Sequence, residues 1–104
     1  MRILIAIPAY NEEAVIEKNL RHCLAAFSTS LADHDWYIVV AENASQDKTR
    51  EIVARLAKED ARVRLLSLSE RGKGLAIRRA WESDEADVYL FMDADLSAHI
   101  KHVP

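Results

Sequence analysis

The sequence predicts an α/β fold, a mainly parallel sheet built in the order β-α-β-α-β-α-β. Three observations carry that prediction. Four short β-rich runs occur, and the first, Ile3 to Ile7, is continuously apolar, as strands are when both faces are covered. Amphipathic stretches of helical period separate them. This alternation favours parallel strands joined by right-handed crossovers.

Ile3-Leu4-Ile5-Ala6-Ile7 is the first predicted strand, ended by Pro8. The opening has the outline of a short signal peptide, but its apolar stretch stops at Ala9 and meets Asn11, Glu12 and Glu13 with no cleavage signal. A helix is predicted over Glu12 to Phe27: Val15, Ile16, Leu20, Cys23, Leu24 and Phe27 recur on one face, with Glu17, Lys18 and Arg21 opposite. Glu12 and Glu13 would lie in its first turn, where the helix dipole favours acids. After a polar connection, Ser28 to Asp35, the second strand runs from Trp36 to Ala41. Ser45 is the predicted N-cap of a helix reaching Asp60, with Asp47 in its first turn and Ile52, Val53 and Leu56 buried. Val63 to Leu68 is the third strand. Gly72 to Trp81 gives a glycine-rich turn and the third helix. Asp87 to Met92 is the fourth strand, ending at Asp93, and Leu96 to Pro104 close no evident element.

The 104 residues, 50% hydrophobic and 30% charged, describe one domain. The net charge of −3, with both signs interspersed, gives no basic face and argues against a nucleic-acid partner. Such a protein needs a metal ion or a few placed cations to hold a diphosphate. The one cysteine, Cys23, forms no intramolecular disulfide and reads as a small core residue. That fits a reducing compartment, and no apolar run approaches the roughly 20 residues of a membrane span. A cytoplasmic location is therefore expected, with any peripheral membrane association belonging to the intact protein.

Open α/β sheets bind ligands beyond the carboxyl ends of their strands, which selects residues 8–13, 42–47, 69–74 and 93–97. In Asp93-Ala94-Asp95, two carboxylates can present oxygens to Mg²⁺ or Mn²⁺, which could bridge a diphosphate. The plainer alternative is a solvated turn. In Arg71-Gly72-Lys73-Gly74 the glycines permit close backbone approach and Lys73 or Arg71 can reach phosphate, although the spacing is not that of a P-loop. A simple turn into a helix is the alternative. Glu42 and Asn43 can read a base edge, for example by accepting from an imide N–H, or belong to a capping loop. Tyr10 can stack or hydrogen-bond and Glu12 can take a ribose hydroxyl, or both lie in a strand-to-helix turn. His99 and His102 follow Asp95 in a terminal loop and make weak metal candidates. His22 and His34 read as surface residues, and Arg78 and Arg79 as a solvated helix face. The aromatics are too scattered for a nucleic-acid stacking platform.

Together these segments resemble family 2 glycosyltransferases. PAYNEE at 8–13 is similar to the P-x-Y-N-E opening, AENASQDKT at 41–49 to the D-D-G-S-x-D-x-T stretch, and RGKGLAIRRAW at 71–81 to G-K-G-x-A-x-R. MDADLS at 92–97 resembles the D-x-D motif of the polyprenyl-phosphate (dolichyl-phosphate) mannose and glucose synthase branch. The resemblance implies a Rossmann-like GT-A fold and inverting transfer of a sugar from a UDP- or GDP-sugar. It implies that Pro8, Tyr10 and Glu12 line the nucleoside pocket. Glu42, and alternatively Asn43, would contact the base, and Lys73 would lie beside the phosphates. Asp93 would face the ribose and metal region, and Asp95 would coordinate Mg²⁺ or Mn²⁺. Two positions depart from the pattern: Glu42 stands for an aspartate, with a longer arm, and Ala44 for a glycine.

Residues 1–104 are expected to form a single N-terminal nucleotide-sugar-binding subdomain, inactive alone. The acceptor half and the general base that inversion needs are expected beyond Pro104, with polyprenyl phosphate as an acceptor. The other readings are a non-catalytic nucleotide-sugar-binding module and a module that self-associates through an exposed sheet edge. A phospho-receiver domain fits poorly, because the acid pair follows the last predicted strand and no later strand supplies its lysine.

Overall fold

The computed structural model describes residues 1–93 in full and the backbone of residues 101–103. The elements are β1 (Arg2–Ala9), α1 (Ile16–Ser30), β2 (Asp35–Asn43), α2 (Thr49–Glu59), β3 (Val63–Leu68), α3 (Lys73–Glu82), β4 (Val88–Phe91) and β5 (Lys101–Val103). They form one sheet in the order β3-β2-β1-β4-β5. The pairs among β1 to β4 are parallel, and β5 runs antiparallel to β4. The predicted α/β order is therefore present. β5 corrects the expectation that Leu96 to Pro104 close no element. Its Lys-His-Val sequence has no apolar run, so strand periodicity does not reveal it.

The continuous apolarity of β1 and β2 follows from their central place. Ile3, Ile5, Ile7, Trp36, Ile38 and Val40 face α1 and α2, where Ile16, Leu20, Phe27, Val53 and Leu56 meet them. Leu4, Ala6, Tyr37, Val39 and Ala41 face the opposite way and are covered by Ala76, Ile77 and Ala80 of α3. Removing such large side chains from water contributes about 1.5–3 kcal/mol each. Trp36 packs edge-on to Phe27 at 5.8 Å on the first face. On the second face, Trp81 donates its indole N–H to the Leu90 carbonyl at 3.0 Å.

Two helix starts differ from expectation. α1 begins at Ile16 rather than Glu12, so Glu17 is the acid of its first turn. Asn11 is left-handed (φ 50°), and the amides of residues 11–13 bind side chains of the next loop. α2 begins at Thr49, with Lys48 at the N-cap position and no side-chain cap bond. Ser45 does not cap it, because its hydroxyl accepts from the Asn11 amide.

A polar clasp closes the amino end of the α3 face. The Asp84 carboxylate accepts from Arg2 at 2.6 Å, Arg64 at 3.1 Å and the Tyr37 hydroxyl at 3.2 Å. The Arg2 and Arg64 guanidinium groups lie 5.1 and 4.0 Å from the Tyr37 ring centroid. The Glu85 amide, acting against burial and joined by Arg64 and Tyr37, holds Asp84 below its ordinary pKa.

Candidate functional site

Chain connectivity changes direction across β1, which lies between β2 and β4. The crevice beyond the carboxyl ends at such a switch point is where α/β sheets take ligands. The segments after β1, β2, β3 and β4 all emerge at that edge.

The first two segments are laced together. The amides of Asn11, Glu12 and Glu13 donate to Ser45 Oγ at 3.0 Å, Thr49 Oγ1 at 2.8 Å and Asp47 Oδ2 at 3.1 Å. In return, the Gln46 amide donates to Asn11 Oδ1 at 2.9 Å. Asp47 also accepts from the Thr49 hydroxyl at 2.5 Å and the Thr49 amide at 2.9 Å. Burial raises the Asp47 pKa, but the Thr49 hydroxyl, the Thr49 amide and the Glu13 amide together hold it below the ordinary 3.8. Ser45, Asp47 and Thr49 therefore fix the shape of the β1–α1 loop. Their alternating polar spacing was the available sequence signal, and the partners more than 30 residues away were not visible in it.

Glu42, the penultimate residue of β2, is almost fully buried, at 2% exposure. The Ser45 amide donates to its Oε2. Asn43 is 4% exposed, and its Oδ1 has no protein partner among the described residues. A cavity of about 480 Å³ opens beside Glu42, lined also by Ala44, Ser45, Arg50, Ser67, Leu68 and Ser69. The sequence placed Glu42 and Ser69 in strand-end segments but gave no sign of Arg50 and Ser67, because nothing in their local pattern marks them as neighbours of Glu42.

The other candidates gather on the β1 and β4 side of the edge. Pro8 is buried at the end of β1, and Tyr10 and Glu12 are half-buried. The Arg71 guanidinium lies 4.1 Å from the Tyr10 ring centroid, the range of a cation–π contact. Gly72 precedes α3 at φ 139°, a conformation that requires glycine. Lys73, the first residue of α3, forms an ion pair with Asp93 just beyond β4. Lys73 is mostly exposed, whereas Asp93 is 19% exposed. None of these residues lines the Glu42 cavity.

Asp95 and His99 lie outside the described residues, and His102 is placed only by its backbone register opposite Leu90. Among the described residues no group of three or more His, Cys, Asp or Glu side chains forms a metal cage. Mg²⁺ needs no such cage when one or two carboxylates share it with substrate phosphates. Asp93 is such a carboxylate, and a metal ion binding there would take the place that the Lys73 ammonium now holds.

The glycosyl transferase family 2 model matches residues 4–104. Glycosyltransferase AglD of Haloferax volcanii is 34% identical over 104 residues, covering 99% of this chain and 17% of the relative. Dolichyl-phosphate beta-glucosyltransferase of Drosophila melanogaster is 34% identical over 101 residues, covering 91% of this chain and 31% of that protein. Among solved structures, mannosyltransferase PcManGT of Pyrobaculum calidifontis, in complex with GDP-Man and Mn²⁺, superposes with a TM-score of 0.73 at 28% identity. That match covers 90% of this chain and 27% of PcManGT. The chain thus spans less than a third of the length of each of these three proteins. With the fold, the four strand-end segments and the family match in agreement, the chain belongs to glycosyl transferase family 2.

Proposed function

We propose that residues 1–104 form the nucleotide-sugar-binding subdomain of an inverting glycosyltransferase. The observation that carries the reading is the placement of two features along one sheet edge: the Glu42 cavity beyond β2 and the Lys73–Asp93 pair beyond β4. A nucleotide sugar needs a base-reading group at one end and charge compensation at the other. Glu42 is buried and acceptor-only when ionised, which suits a ring N–H. Tyr10 offers a ring face to the nucleoside, with Pro8, Glu12 and Asn43 beside it. Lys73 is an exposed cation at a helix start, suited to the diphosphate.

Asp93 and Asp95 would hold Mg²⁺ or Mn²⁺, and the bound ion would neutralise charge on the leaving diphosphate. The metal-bearing PcManGT complex supports this assignment. Binding of metal and diphosphate would replace the Lys73–Asp93 pair, turning Lys73 toward phosphate. Transfer with inversion calls for a base at an acceptor hydroxyl. An acceptor that is already an anionic lipid phosphate relaxes that need, and the dolichyl-phosphate relative supports a polyprenyl phosphate in the intact protein.

Calorimetric titration of GDP and UDP, with and without Mn²⁺, tests the reading. Metal-dependent binding of at least one nucleotide is expected. Lys73→Ala and Asp95→Ala should each weaken it by about tenfold or more, the loss of a charge-assisted contact. Binding that ignores both the metal and these substitutions would reject the assignment. Nucleotide binding by an intact protein that transfers no sugar would favour the non-catalytic module.

A further inference from the structure

The Glu42 cavity contains a cation that none of the motifs marks. Arg50, the second residue of α2, lines it with Glu42 and is, among the described residues, the only positively charged one that does so. The nearby arginines are engaged: Arg21 and Arg55 pair with Glu17 and Glu59 between α1 and α2. Arg50 has no hydrogen bond or ion pair among the described residues, although it shares a cavity with a buried carboxylate. Glu42 accepts the Ser45 amide through Oε2, and its Oε1 accepts no bond among the described residues.

The two groups have opposite hydrogen-bonding characters. An ionised carboxylate only accepts and a guanidinium only donates. A ligand edge that satisfies both must present an N–H next to a C=O. Guanine offers this lactam edge as N1–H beside the C6 carbonyl, and uracil as N3–H beside the C4 carbonyl. Adenine and cytosine present the reverse, a ring lone pair beside an amino group, which would set acceptor against carboxylate and donor against guanidinium. The Ser67 and Ser69 hydroxyls can donate or accept, so they do not decide the order.

We propose that Arg50 is a specificity-determining residue of this pocket. It donates to the exocyclic carbonyl while Glu42 accepts from the adjacent ring N–H, so the pocket takes guanine and uracil and rejects adenine and cytosine. The inference rests on the sugar-donor reading above and adds the residue that sets base choice. Guanine also presents N7 beside its carbonyl, so both arms of the guanidinium can bind it. Uracil presents only the carbonyl on that side.

The test titrates the chain with GDP, UDP, ADP and CDP at fixed Mn²⁺, with inorganic pyrophosphate as a base-free probe. GDP or UDP should bind at least about tenfold more tightly than ADP and CDP, the discrimination of one well-placed polar pair. Arg50→Ala should remove most of that preference and leave pyrophosphate binding unchanged. Arg50→Lys keeps the charge but lacks the planar fork, so GDP should lose more affinity than UDP. Equal losses for GDP and UDP in Arg50→Lys would overturn the two-armed reading of guanine by Arg50. ADP or CDP binding as tightly as GDP and UDP overturns the proposal while leaving the donor site in place. Equal weakening of all four nucleotides and pyrophosphate by Arg50→Ala also overturns it, by making Arg50 a phosphate ligand. No binding of any nucleotide by folded protein rejects the donor-site reading and this inference together.

Discussion

Ala44 follows β2 with φ at 51°, in the left-handed region that side chains with a Cβ avoid. Its strain is of the order of 1–2 kcal/mol, partly offset because glycine would gain freedom in the unfolded chain. Ala44→Gly should therefore raise stability by roughly 0.5–1 kcal/mol, read from the urea midpoint at constant slope. The sequence showed that alanine stands where the family pattern has glycine, and the backbone angle gives that departure its physical meaning. Glu42 was also legible, as a carboxylate at a strand end. Its burial and its bond from Ser45 were not, because both depend on how the following loop folds back. Arg50 was invisible for a similar reason: an arginine early in a helix is usually solvated, and only the tertiary fold brings it to one cavity with the ends of β2 and β3.

The β1–α1 and β2–α2 loops behave as one element. Thr49 is fully buried, and its hydroxyl both accepts the Glu12 amide and donates to Asp47. Thr49→Val preserves shape but removes the hydroxyl that accepts from that amide and donates to Asp47, so a loss of about 1–3 kcal/mol is expected. Amide exchange at Glu12 should accelerate more than exchange in β1, which would separate loop release from global unfolding. The lace also gives a pH signature. Asp47 has a folded pKa below its unfolded value of about 3.8. Its contribution is complete above the unfolded pKa and is lost as pH falls through the folded one. Asp84 shifts in the same direction at the opposite end of the sheet. Denaturant midpoints should thus fall on acidification below about pH 4, and Asp47→Asn should flatten that dependence. Strands and helices were readable from periodicity, whereas both displaced helix starts were set by these long-range side-chain bonds.

At the scale of the molecule, the candidate site and the Arg2–Tyr37–Arg64–Asp84 clasp occupy opposite ends of one sheet. The crossover rule sets the hand of each parallel connection, whereas the order β3-β2-β1-β4 came only with the structure, and β5, with no apolar signature, escaped the reading. Cys23 lies on the buried face of α1 with its thiol against Met92, and burial pushes its pKa to about 11. Alkylation of Cys23 near neutral pH should therefore track global opening and slow in proportion to any stabilising substitution. The two tryptophans extend this view to each layer. Trp36 belongs to the face under α1 and α2, and Trp81 to the face under α3. Replacing either one by phenylalanine leaves a single tryptophan, excitable apart from the tyrosines, that reports on one side of the sheet. Coincident melting curves from the two variants would identify the layers as one cooperative unit. Separate curves would show that α3, the one helix on its face among the described residues, can detach while the other layer still emits as folded protein.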